Sequence, residues 1–391
     1  MNGDYLHSKD YLGENMTIAI LDAGFSNVDN MTIFENLFAE NKILSTKNFV
    51  SPNSSVYTSS SHGTMVLSIL AGQEIGNVFG SAPKSNYLLL LTEDVGQENL
   101  IEEYYWASAA EYADSAGADV INSSLGYYEF DSPEFNHTIS ELNSNSTMIT
   151  MAANTAFEKG ILVFNSAGNE GDSPWEYIIF PADGKNVIAV GAVNLFKERA
   201  SFSSIGYDFP NQIKPNLAAL GSGIYVQSSN SNGTNSNGTS FSSPLLCGLS
   251  TCFWQAFPEK SNQEIKDLIQ ECANQYSNPN EFLGYGIPDF KKAFVTELEK
   301  QNPSPKINFS IYPNPLVGNN LYIQFANINY SLKELKLYAS DGNLVLSKTM
   351  GEQDKISDQT VELSNLVLSK GIYFIELKTN NGIFFDKVLI L

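Results

Sequence analysis

Two hydrophobic patterns follow one another along the chain, and they predict different folds. In the first three hundred residues, short aliphatic and β-branched runs predict buried parallel strands, and apolar residues three and four apart predict helices. We expect strands at residues 17–24, 49–50, 85–92, 118–126 and 161–171, and helices at 62–72, 98–117, 148–159 and from 240 onward. Alternating strands and helices are typical of an α/β fold with a mostly parallel sheet.

A second pattern begins after a Pro-containing linker at residues 301–306. Alternating apolar residues with intervening Asp-Gly and Asn-Gly turns predict hairpins, with strands at 320–325, 335–338, 371–377 and 384–391 and turns at 341–342 and 381–382. Charge changes at the same place, since residues 301–391 hold eight Lys and eight acidic residues, whereas residues 1–300 hold 14 basic and 35 acidic. We therefore expect one domain at 1–300 and a small all-β sandwich at 307–391.

The amino-acid composition limits the classes of protein and of partner that fit this chain. Hydrophobic residues make up 42% of the chain and aromatic residues 12%, which is ample for a globular core. No apolar run approaches the ~20 residues of a membrane-spanning helix, so we expect a soluble protein. The net charge of −21 reflects a scarcity of basic residues, because only 17% of all residues are charged. Such a surface disfavours nucleic acid and anionic lipid as partners.

The helix predicted at 98–117 carries acidic residues whose environment can be inferred from their spacing. Glu102, Glu103 and Glu111 fall away from the side that holds most of its apolar residues, namely Leu100, Ile101, Tyr104, Tyr105, Ala109 and Tyr112. Without further oxygen ligands converging on them, these glutamates predict a solvated face rather than a metal site.

The three cysteines have no metal-binding spacing. Cys247 is expected to pack as a small apolar residue, and buried thiols are favoured for all three. A disulfide between Cys252 and Cys272 is left open. Cysteine usage therefore does not decide the compartment.

A candidate nucleophile stands where a polar run gives way to a helix. Residues 228–240 are all Ser, Asn, Gly or Thr, and apolar residues on helical spacing follow from Phe241. Ser240 is therefore expected to open a helix, where free N–H groups stabilise negative charge on an attacked carbonyl and Pro244 fits the first turn. Taken alone, a helix-capping serine explains the position equally well.

Two upstream segments supply the base and the carboxylate that a nucleophilic serine needs. Asp22 ends the first predicted strand, and His62 begins a helix. The other two histidines are poor candidates, because His7 lies in a polar leader and His137 in a Ser- and Asn-rich loop. His62 is therefore the candidate general base.

These three segments resemble the motifs of the subtilisin-like serine proteases, or subtilases. The matching motifs are Asp-x-Gly at Asp22, His-Gly-Thr at His62 and Gly-Thr-Ser-x-Ser-x-Pro around Ser240, in that order. The resemblance covers roughly residues 10 to 295. It implies a three-layer α/β/α domain and a secreted serine endopeptidase that uses Asp22, His62 and Ser240 as its catalytic triad. No cofactor is implied for catalysis.

The resemblance also implies which groups bind substrate. Asn169 would donate its side-chain amide to the developing oxyanion, together with the backbone N–H of Ser240. Extended substrate would pair with the strand edge Ser124-Leu125-Gly126. Ser166, Ala167 and Gly168 would form one wall of the pocket for the side chain before the scissile bond. Glu170 would sit at the pocket rim, and Ile179 at the base would make it shallow and apolar. Otherwise these segments are an ordinary strand end and turn.

Two further expectations concern regions outside this site. Several subtilases wrap a calcium ion in the loop that corresponds to residues 72–80, but here the oxygen-bearing residues do not line up, so a structural calcium ion is left open and unlocated. Subtilases are usually made with a signal and a pro-domain, which would precede the Asp22 strand. The first fifteen residues are polar and lack a signal-peptide core, so we expect a mature or trimmed form.

The C-terminal module resembles the sorting domains of type IX secretion cargo. The segment Ile311-Tyr-Pro-Asn-Pro315 and the hairpins that follow carry the likeness. It implies export across the bacterial outer membrane, with the secretion machinery as partner of residues 307–391. A plain accessory or adhesive β-sandwich is the alternative.

Other functions remain to be weighed against a general endopeptidase. An adhesion protein with an inactive subtilase body would not need Asp22, His62, Asn169 and Ser240 together. The Ser-Glu-Asp peptidases of the same fold would have Glu where His62 stands. A processing protease with one physiological substrate is equally compatible with the sequence. We expect protein or peptide substrates and a monomer.

Overall fold

The computed structural model describes residues 1–74, 78–207, 212–230, 233–301, 309–325, 332–350, 360–380 and 382–391. These residues form two compact units, Met1–Thr296 and Glu297–Leu391. Most of the predicted linker, 302–306, and Asn381 of the last predicted turn lie outside the described residues.

The first unit is built from strands and helices that alternate along the chain. Its strands are β1 Thr17–Asp22, β2 Ile43–Asn48, β3 Gln73–Glu74, β4 Val78–Phe79, β5 Asn86–Leu91, β6 Val120–Ser123, β7 Leu162–Ser166, β8 Ile188–Val193, β9 Leu217–Leu220, β10 Ser222–Gln227 and β11 Gly233–Asn237. The α-helices are α1 Asp4–His7, α2 Glu35–Ala39, α3 His62–Ala71, α4 Ile101–Ser115, α5 Met148–Glu158, α6 Thr239–Ala256, α7 Asn262–Glu271 and α8 Phe290–Gln301, the last of which runs past the end of this unit.

Seven strands form one sheet in the order β2-β5-β1-β6-β7-β8-β9, and every pairing is parallel. All residues of β1, β6, β7 and β8 are buried, which accounts for their continuous apolar runs. The predicted α/β fold is confirmed. Because parallel strands end at one edge of the sheet, residues that follow β1, β6 and β7 lie near one another there.

The prediction of a strand at 49–50 was wrong. The strand in this region is β2, which ends at Asn48, and Phe49 follows it. It is an edge strand with most of its side chains partly or fully exposed, so it lacks the apolar run that marked the central strands. The polar run before Ser240 also contains a strand, since β11 pairs antiparallel with β10.

The prediction of a solvated face on α4 was wrong for Glu102 and Glu103, whereas Glu111 is exposed as predicted. Glu102 and Glu103 are each 1% exposed, whereas Ile101 and Tyr104 are about half exposed, at 49% and 50%. Polar contacts explain the burial. Glu102 accepts backbone N–H groups from Asp94 and Asn99 at 2.7 and 2.9 Å.

Glu103 has partners of its own beneath the helix. It accepts a hydrogen bond from the ring of His137 and another from the backbone N–H of Ile149. Burial of a carboxylate is tolerated where donors satisfy it, and spacing along the helix does not reveal such donors.

Glu102 belongs to a group of three carboxyl groups. Oxygen atoms of Glu93, Glu98 and Glu102 lie within 4.8 Å of one another. Burial and then the charge of Glu102 raise the pKa of Glu93 well above its ordinary value. Burial, followed by the charges of Glu102 and Asp131, raises the pKa of Glu98 to about 7. The group therefore favours protonated carboxyls over three negative charges.

The second unit is an all-β module of two antiparallel sheets. Its strands are β12 Phe309–Tyr312, β13 Leu321–Phe325, β14 Leu332–Ala339, β15 Leu344–Thr349, β16 Thr360–Leu363, β17 Gly371–Thr379 and β18 Gly382–Ile390. The sheets have the orders β12-β13-β16 and β15-β14-β17-β18. Side chains from both sheets, including Ile323 and Ile375, form one buried core. The predicted hairpin module is confirmed, although β12, β15 and β16 were not predicted.

All three cysteines are buried and free. The thiols of Cys252 and Cys272 contact different carbonyl groups, those of Ser81 and Ile269. Among the described residues, no helix has both the length and the apolar composition to cross a membrane.

We expect Glu98→Gln to raise the thermal midpoint of the protein at pH 8 and to leave it nearly unchanged at pH 5. A carboxyl group whose pKa is raised on folding contributes stability below its ordinary pKa of 4.5, and that stability is lost as the pH rises through about 7. An uncharged amide avoids this loss. The rise should be about 1–3 °C.

Glu111→Gln is the matched control, because Glu111 is an exposed residue of α4 outside the group. Thermal unfolding at the two pH values, followed by circular dichroism, measures both variants. A lower midpoint for Glu98→Gln at pH 8 would contradict the explanation.

Candidate active site

Asp22 and His62 meet at the carboxyl edge of the sheet. Asp22 is the last residue of β1 and is fully buried. Its Oδ1 accepts hydrogen bonds from the backbone N–H of Ala23 at 2.8 Å and from Nδ1 of His62 at 2.7 Å. The contact fixes the imidazole as the tautomer with a proton on Nδ1, which leaves Nε2 able to accept a proton.

Two glycines permit this contact. A Cβ on Gly63 would lie 2.5 Å from Gly24 O, and a Cβ on Gly24 would lie 2.7 Å from the backbone nitrogen of Ser60. Gly24 also has a φ of +141°, a conformation that side chains rarely adopt. The turn after β1 and the start of α3 can therefore approach only because both positions lack side chains.

Asp22 sets the protonation of His62. Burial lowers the pKa of His62, but the charge and hydrogen bond of Asp22 raise it by more, so the pKa lies above 6.5. A side chain with such a pKa is well suited to exchange protons near neutral pH. The imidazole is 30% exposed, so it remains accessible from solvent.

Ser240 lies in the first turn of α6, which starts after Gly238. Reciprocal hydrogen bonds join it to Ser124, since Ser124 Oγ donates to Ser240 O at 2.8 Å and Ser240 Oγ donates to Ser124 O at 3.3 Å. The ring of the next residue, Phe241, lies 5.9 Å from the ring of His62. Ser240 is thus beside the Asp22–His62 pair, with its hydroxyl hydrogen-bonded to the strand end.

No hydrogen bond between Ser240 Oγ and His62 is present within the described part of the chain. Hydrogen bonds between a nucleophile and its base are often long or poorly aligned before substrate binds, so this arrangement does not argue against the pair. A serine hydroxyl has a single proton, so Ser240 must give up its hydrogen bond to Ser124 O when it donates to the imidazole.

Asn169 is oriented by the residue that precedes Ser240. Its Oδ1 accepts hydrogen bonds from the backbone N–H of Thr239 at 2.9 Å and from Thr239 Oγ1 at 3.0 Å. Asn169 is itself exposed. With the carbonyl end of its amide held, the Nδ2 end is available to donate to a ligand beside Ser240.

The predicted substrate edge, 124–126, and the predicted pocket wall, 166–168, lie next to one another, and both are called wall segments below. Asn165 Nδ2 and Ser166 Oγ donate to Leu125 O at 2.9 and 3.5 Å. Ala167 is completely buried, and its carbonyl accepts the backbone N–H of Ile179 at 3.2 Å. Both walls are therefore fixed by hydrogen bonds near the point where the strands β6 and β7 end.

Ile179 occupies the space between the glycines of the two segments. A Cβ on Gly126 would lie 2.3 Å from Ile179 Cδ1, and a Cβ on Gly168 would lie 3.0 Å from Ile179 Cγ1. Glu170, two residues after Gly168, accepts a hydrogen bond from the hydroxyl of Tyr128 at 3.0 Å. A pocket between these walls is thus limited by Ile179 on one side and by Glu170 on another.

Sequence reasoning missed three residues that organise the site. Thr239 holds Asn169, and its place beside Ser240 in the same motif was a usable signal. Asn122 and Ser243 form a buried link between β6 and α6, in which Ser243 Oγ donates to Asn122 Oδ1 at 2.9 Å. Nothing in the spacing of these polar residues indicates that they meet.

The described residues hold one group of carboxylates close enough together to bind a metal ion, that of Glu93, Glu98 and Glu102, and it lies outside the segment 72–80. Strands β3 and β4 pair antiparallel and Gly80 N donates to Gly72 O, but residues 75–77 between the two strands are not described. Glu74 accepts a hydrogen bond from Gln227. In the glutamate group, both oxygens of Glu102 accept backbone N–H groups, and Glu93 accepts the hydroxyl of Tyr127.

Known protein families match both parts of the chain. The family described as the subtilase family matches residues 13–286, and the family described as the secretion system C-terminal sorting domain matches residues 310–391. Subtilisin NAT from Bacillus subtilis subsp. natto is 30% identical over 296 residues, which cover 74% of this chain and 68% of that protein. Subtilisin from Bacillus pumilus is also 30% identical over 296 residues, covering 74% and 94%.

Solved protease structures share the fold. The prenylagaramide maturation protease PagA has a TM-score of 0.57 at 22% identity, with 75% of this chain and 97% of that chain covered. MycP1 from Mycobacterium smegmatis has a TM-score of 0.56 at 20% identity, covering 75% and 83%. At such identities the likeness concerns the fold alone.

We expect Asp22→Asn to lower the pKa of His62. Removal of the carboxylate leaves burial, which disfavours the charged imidazolium, without its counteracting charge. The pKa can be followed through the imidazole proton resonances in a pH titration, with His62→Gln used to assign the signal among three histidines. An unchanged or higher pKa in the Asn variant would show that Asp22 does not control the imidazole.

Proposed function

The chain belongs to the subtilase family and is a subtilisin-like serine endopeptidase, and from this premise we propose that it cleaves proteins through Asp22, His62 and Ser240. The observation that carries the proposal is the 2.7 Å hydrogen bond between the buried carboxylate and the imidazole, with Ser240 beside them at a helix start. No cofactor takes part in the chemistry.

Each of the three residues has a separate task in the reaction. His62 takes the proton from the Ser240 hydroxyl as the oxygen attacks the substrate carbonyl, and it later donates a proton to the leaving amine. Asp22 holds the tautomer of the imidazole and stabilises the imidazolium. Ser240 forms the acyl-enzyme, which water then hydrolyses.

The negative charge that develops on the attacked carbonyl oxygen is bound by two N–H groups. One is the side-chain amide of Asn169, whose orientation is fixed by Thr239. The other is the backbone N–H of Ser240, one of the free donors in the first turn of α6. Donors held in place before the reaction cost little reorganisation when the charge appears.

Substrate binds as an extended chain along Ser124, Leu125 and Gly126. Main-chain pairing of this kind accepts many sequences, and the pocket next to it supplies selectivity. The walls of that pocket are the two wall segments, 124–126 and 166–168. Ile179 forms its base, and Glu170 lies at its rim.

The C-terminal module directs the enzyme out of the cell. The match over residues 310–391 indicates type IX secretion to the cell surface or beyond. We assign residues 1–300 to the catalytic domain and 307–391 to the sorting domain, with 301–306 as the linker between them. The enzyme acts as a monomer, and any calcium ion supports loops without taking part in catalysis.

The main alternative is a surface-binding protein with an inactive subtilase body. A fluorophosphonate, which reacts with activated serines, separates the two functions. We expect covalent labelling of Ser240, found by mass spectrometry of the modified peptide, and loss of both labelling and peptide hydrolysis in Ser240→Ala. Intact folded protein without an adduct on Ser240 would support the binding function.

Asn169→Ala tests the oxyanion assignment within the same assay. Loss of the corresponding amide in subtilisin, the known example, lowers turnover by about 10²–10³. We expect a similar loss of kcat with KM nearly unchanged. Equal activity of the variant and the parent enzyme would remove Asn169 from the mechanism.

Ile179→Gly tests the base of the pocket. The isoleucine fills the space between Gly126 and Gly168, so its removal should admit a phenyl ring. We expect kcat/KM for a peptide with Phe before the scissile bond to rise at least tenfold relative to the matching Ala peptide. Ile178→Val, a conservative change at the fully buried neighbour, should leave that ratio unchanged. Parallel changes on both peptides in the Gly variant would place Ile179 outside the pocket.

A further inference from the structure

We propose that a hydrogen bond between Tyr128 and Glu170, backed by Trp175, ties the two pocket walls together and restricts the enzyme to small side chains before the scissile bond. This inference rests on the proposed function, because it concerns the selectivity of the same site. The three side chains are called the wall clamp below.

The clamp joins equivalent points of the two walls. Tyr128 is two residues beyond Gly126 and Glu170 is two residues beyond Gly168, and these are the glycines between which Ile179 lies. The hydroxyl of Tyr128 donates to Glu170 Oε2 at 3.0 Å. The walls are therefore joined just beyond the segment in which a substrate side chain would be held.

The ring of Trp175 packs against the ring of Tyr128 and holds it in place. Its ring centroid lies 4.5 Å from that of Tyr128, within the range in which aromatic pairs attract. Its indole nitrogen donates to Ile178 O at 3.1 Å. The indole ring that packs against Tyr128 is thus attached to the backbone beside the pocket base.

The pocket base is itself bonded to both walls. Phe180 and Tyr127 exchange backbone hydrogen bonds at 3.0 and 3.2 Å, and Ile179 N donates to Ala167 O at 3.2 Å. A wider pocket would need one wall to move, and that movement would break bonds on the base as well as the clamp. Unlike these backbone hydrogen bonds of the base, the clamp is made by side chains, so substitution can remove it without altering the backbone.

The clamp remains formed over the working pH range of His62. Burial, followed by the hydrogen bond and charge of Glu170, raises the pKa of Tyr128 to about 12. The phenol therefore stays protonated and can donate while the imidazole is neutral. Selectivity that depends on the clamp should accordingly be constant between about pH 7 and 10.

Substrate size determines whether the clamp must open. A methyl side chain fits above Ile179 without displacing a wall, whereas a phenyl ring needs the walls to separate and the Tyr128–Glu170 bond to break. One net hydrogen bond corresponds to about a three- to tenfold change in relative rate. The substrate class inferred is therefore proteins with Ala, Gly or Ser before the scissile bond.

The test measures kcat/KM of the full-length enzyme on peptides that differ only in Ala, Leu or Phe before the scissile bond. We expect the parent enzyme to prefer Ala over Phe at least tenfold. Tyr128→Phe keeps the ring that packs against Trp175 and removes the hydroxyl, and Glu170→Ala removes the acceptor. Each should raise the Phe-to-Ala ratio about three- to tenfold, and the double variant should raise it no further.

Two controls separate the clamp from a general structural effect. Glu170→Gln keeps an acceptor oxygen for the phenol and should restore the parent ratio. Tyr104→Phe makes the same chemical change at a half-exposed tyrosine of α4 and should alter nothing. An unchanged ratio in Tyr128→Phe and Glu170→Ala, or an equal loss on all three peptides, would overturn the inference.

Failure of the proposed function would look different. Fluorophosphonate labelling of Ser240 in each variant reports whether the active serine is intact. Labelled protein with an unaltered ratio counts against the clamp alone, whereas absence of labelling in the parent enzyme counts against the peptidase assignment.

Discussion

The hydrogen bond between Asp22 and His62 is the contact on which the rest of the site depends. A fully buried carboxylate is costly unless donors satisfy it, and here Ala23 and the imidazole both donate to one oxygen. The contact exists only because Gly24 and Gly63 let two turns approach more closely than side chains would allow. The same contact raises the pKa of His62. The close packing of the two turns therefore also determines how readily the imidazole takes up a proton.

The central part of the fold was predictable because it is buried on both faces. Strands such as β1 and β8 consist of buried residues throughout, and burial of that kind gives a continuous apolar run. The edge strand β2 has no such requirement and was misplaced. On α4, spacing suggested a solvated face for Glu102 and Glu103, but backbone and histidine donors satisfy both side chains inside the protein. The periodicity of a sequence shows where apolar side chains recur. It does not show whether a polar side chain has a buried hydrogen-bond partner.

The candidate site also combines residues that the sequence predicts with residues that it does not. Asp22, His62 and Ser240 were predicted because each stands in a short motif whose residue types carry its chemistry. The residues that position these three side chains were not predicted. Thr239, Asn122 and Ser243 act through contacts between segments far apart in sequence. Tyr128 and Trp175 belong to this second kind. Their contact depends on how two loops pack, and no local pattern in either loop encodes it.

The nucleophile and the pocket are parts of one hydrogen-bonded unit. Ser124 donates to the carbonyl of Ser240 and accepts from its hydroxyl, so the residue that begins one wall also holds the serine. That wall is bonded to the base through Tyr127 and Phe180, and the base is bonded to the opposite wall through Ile179 and Ala167. Movement of the segment 124–126 would therefore disturb the hydrogen bonds that hold Ser240. Selection by size and alignment of the nucleophile are therefore linked through the segment 124–126, which carries the hydrogen bonds between Ser124 and Ser240.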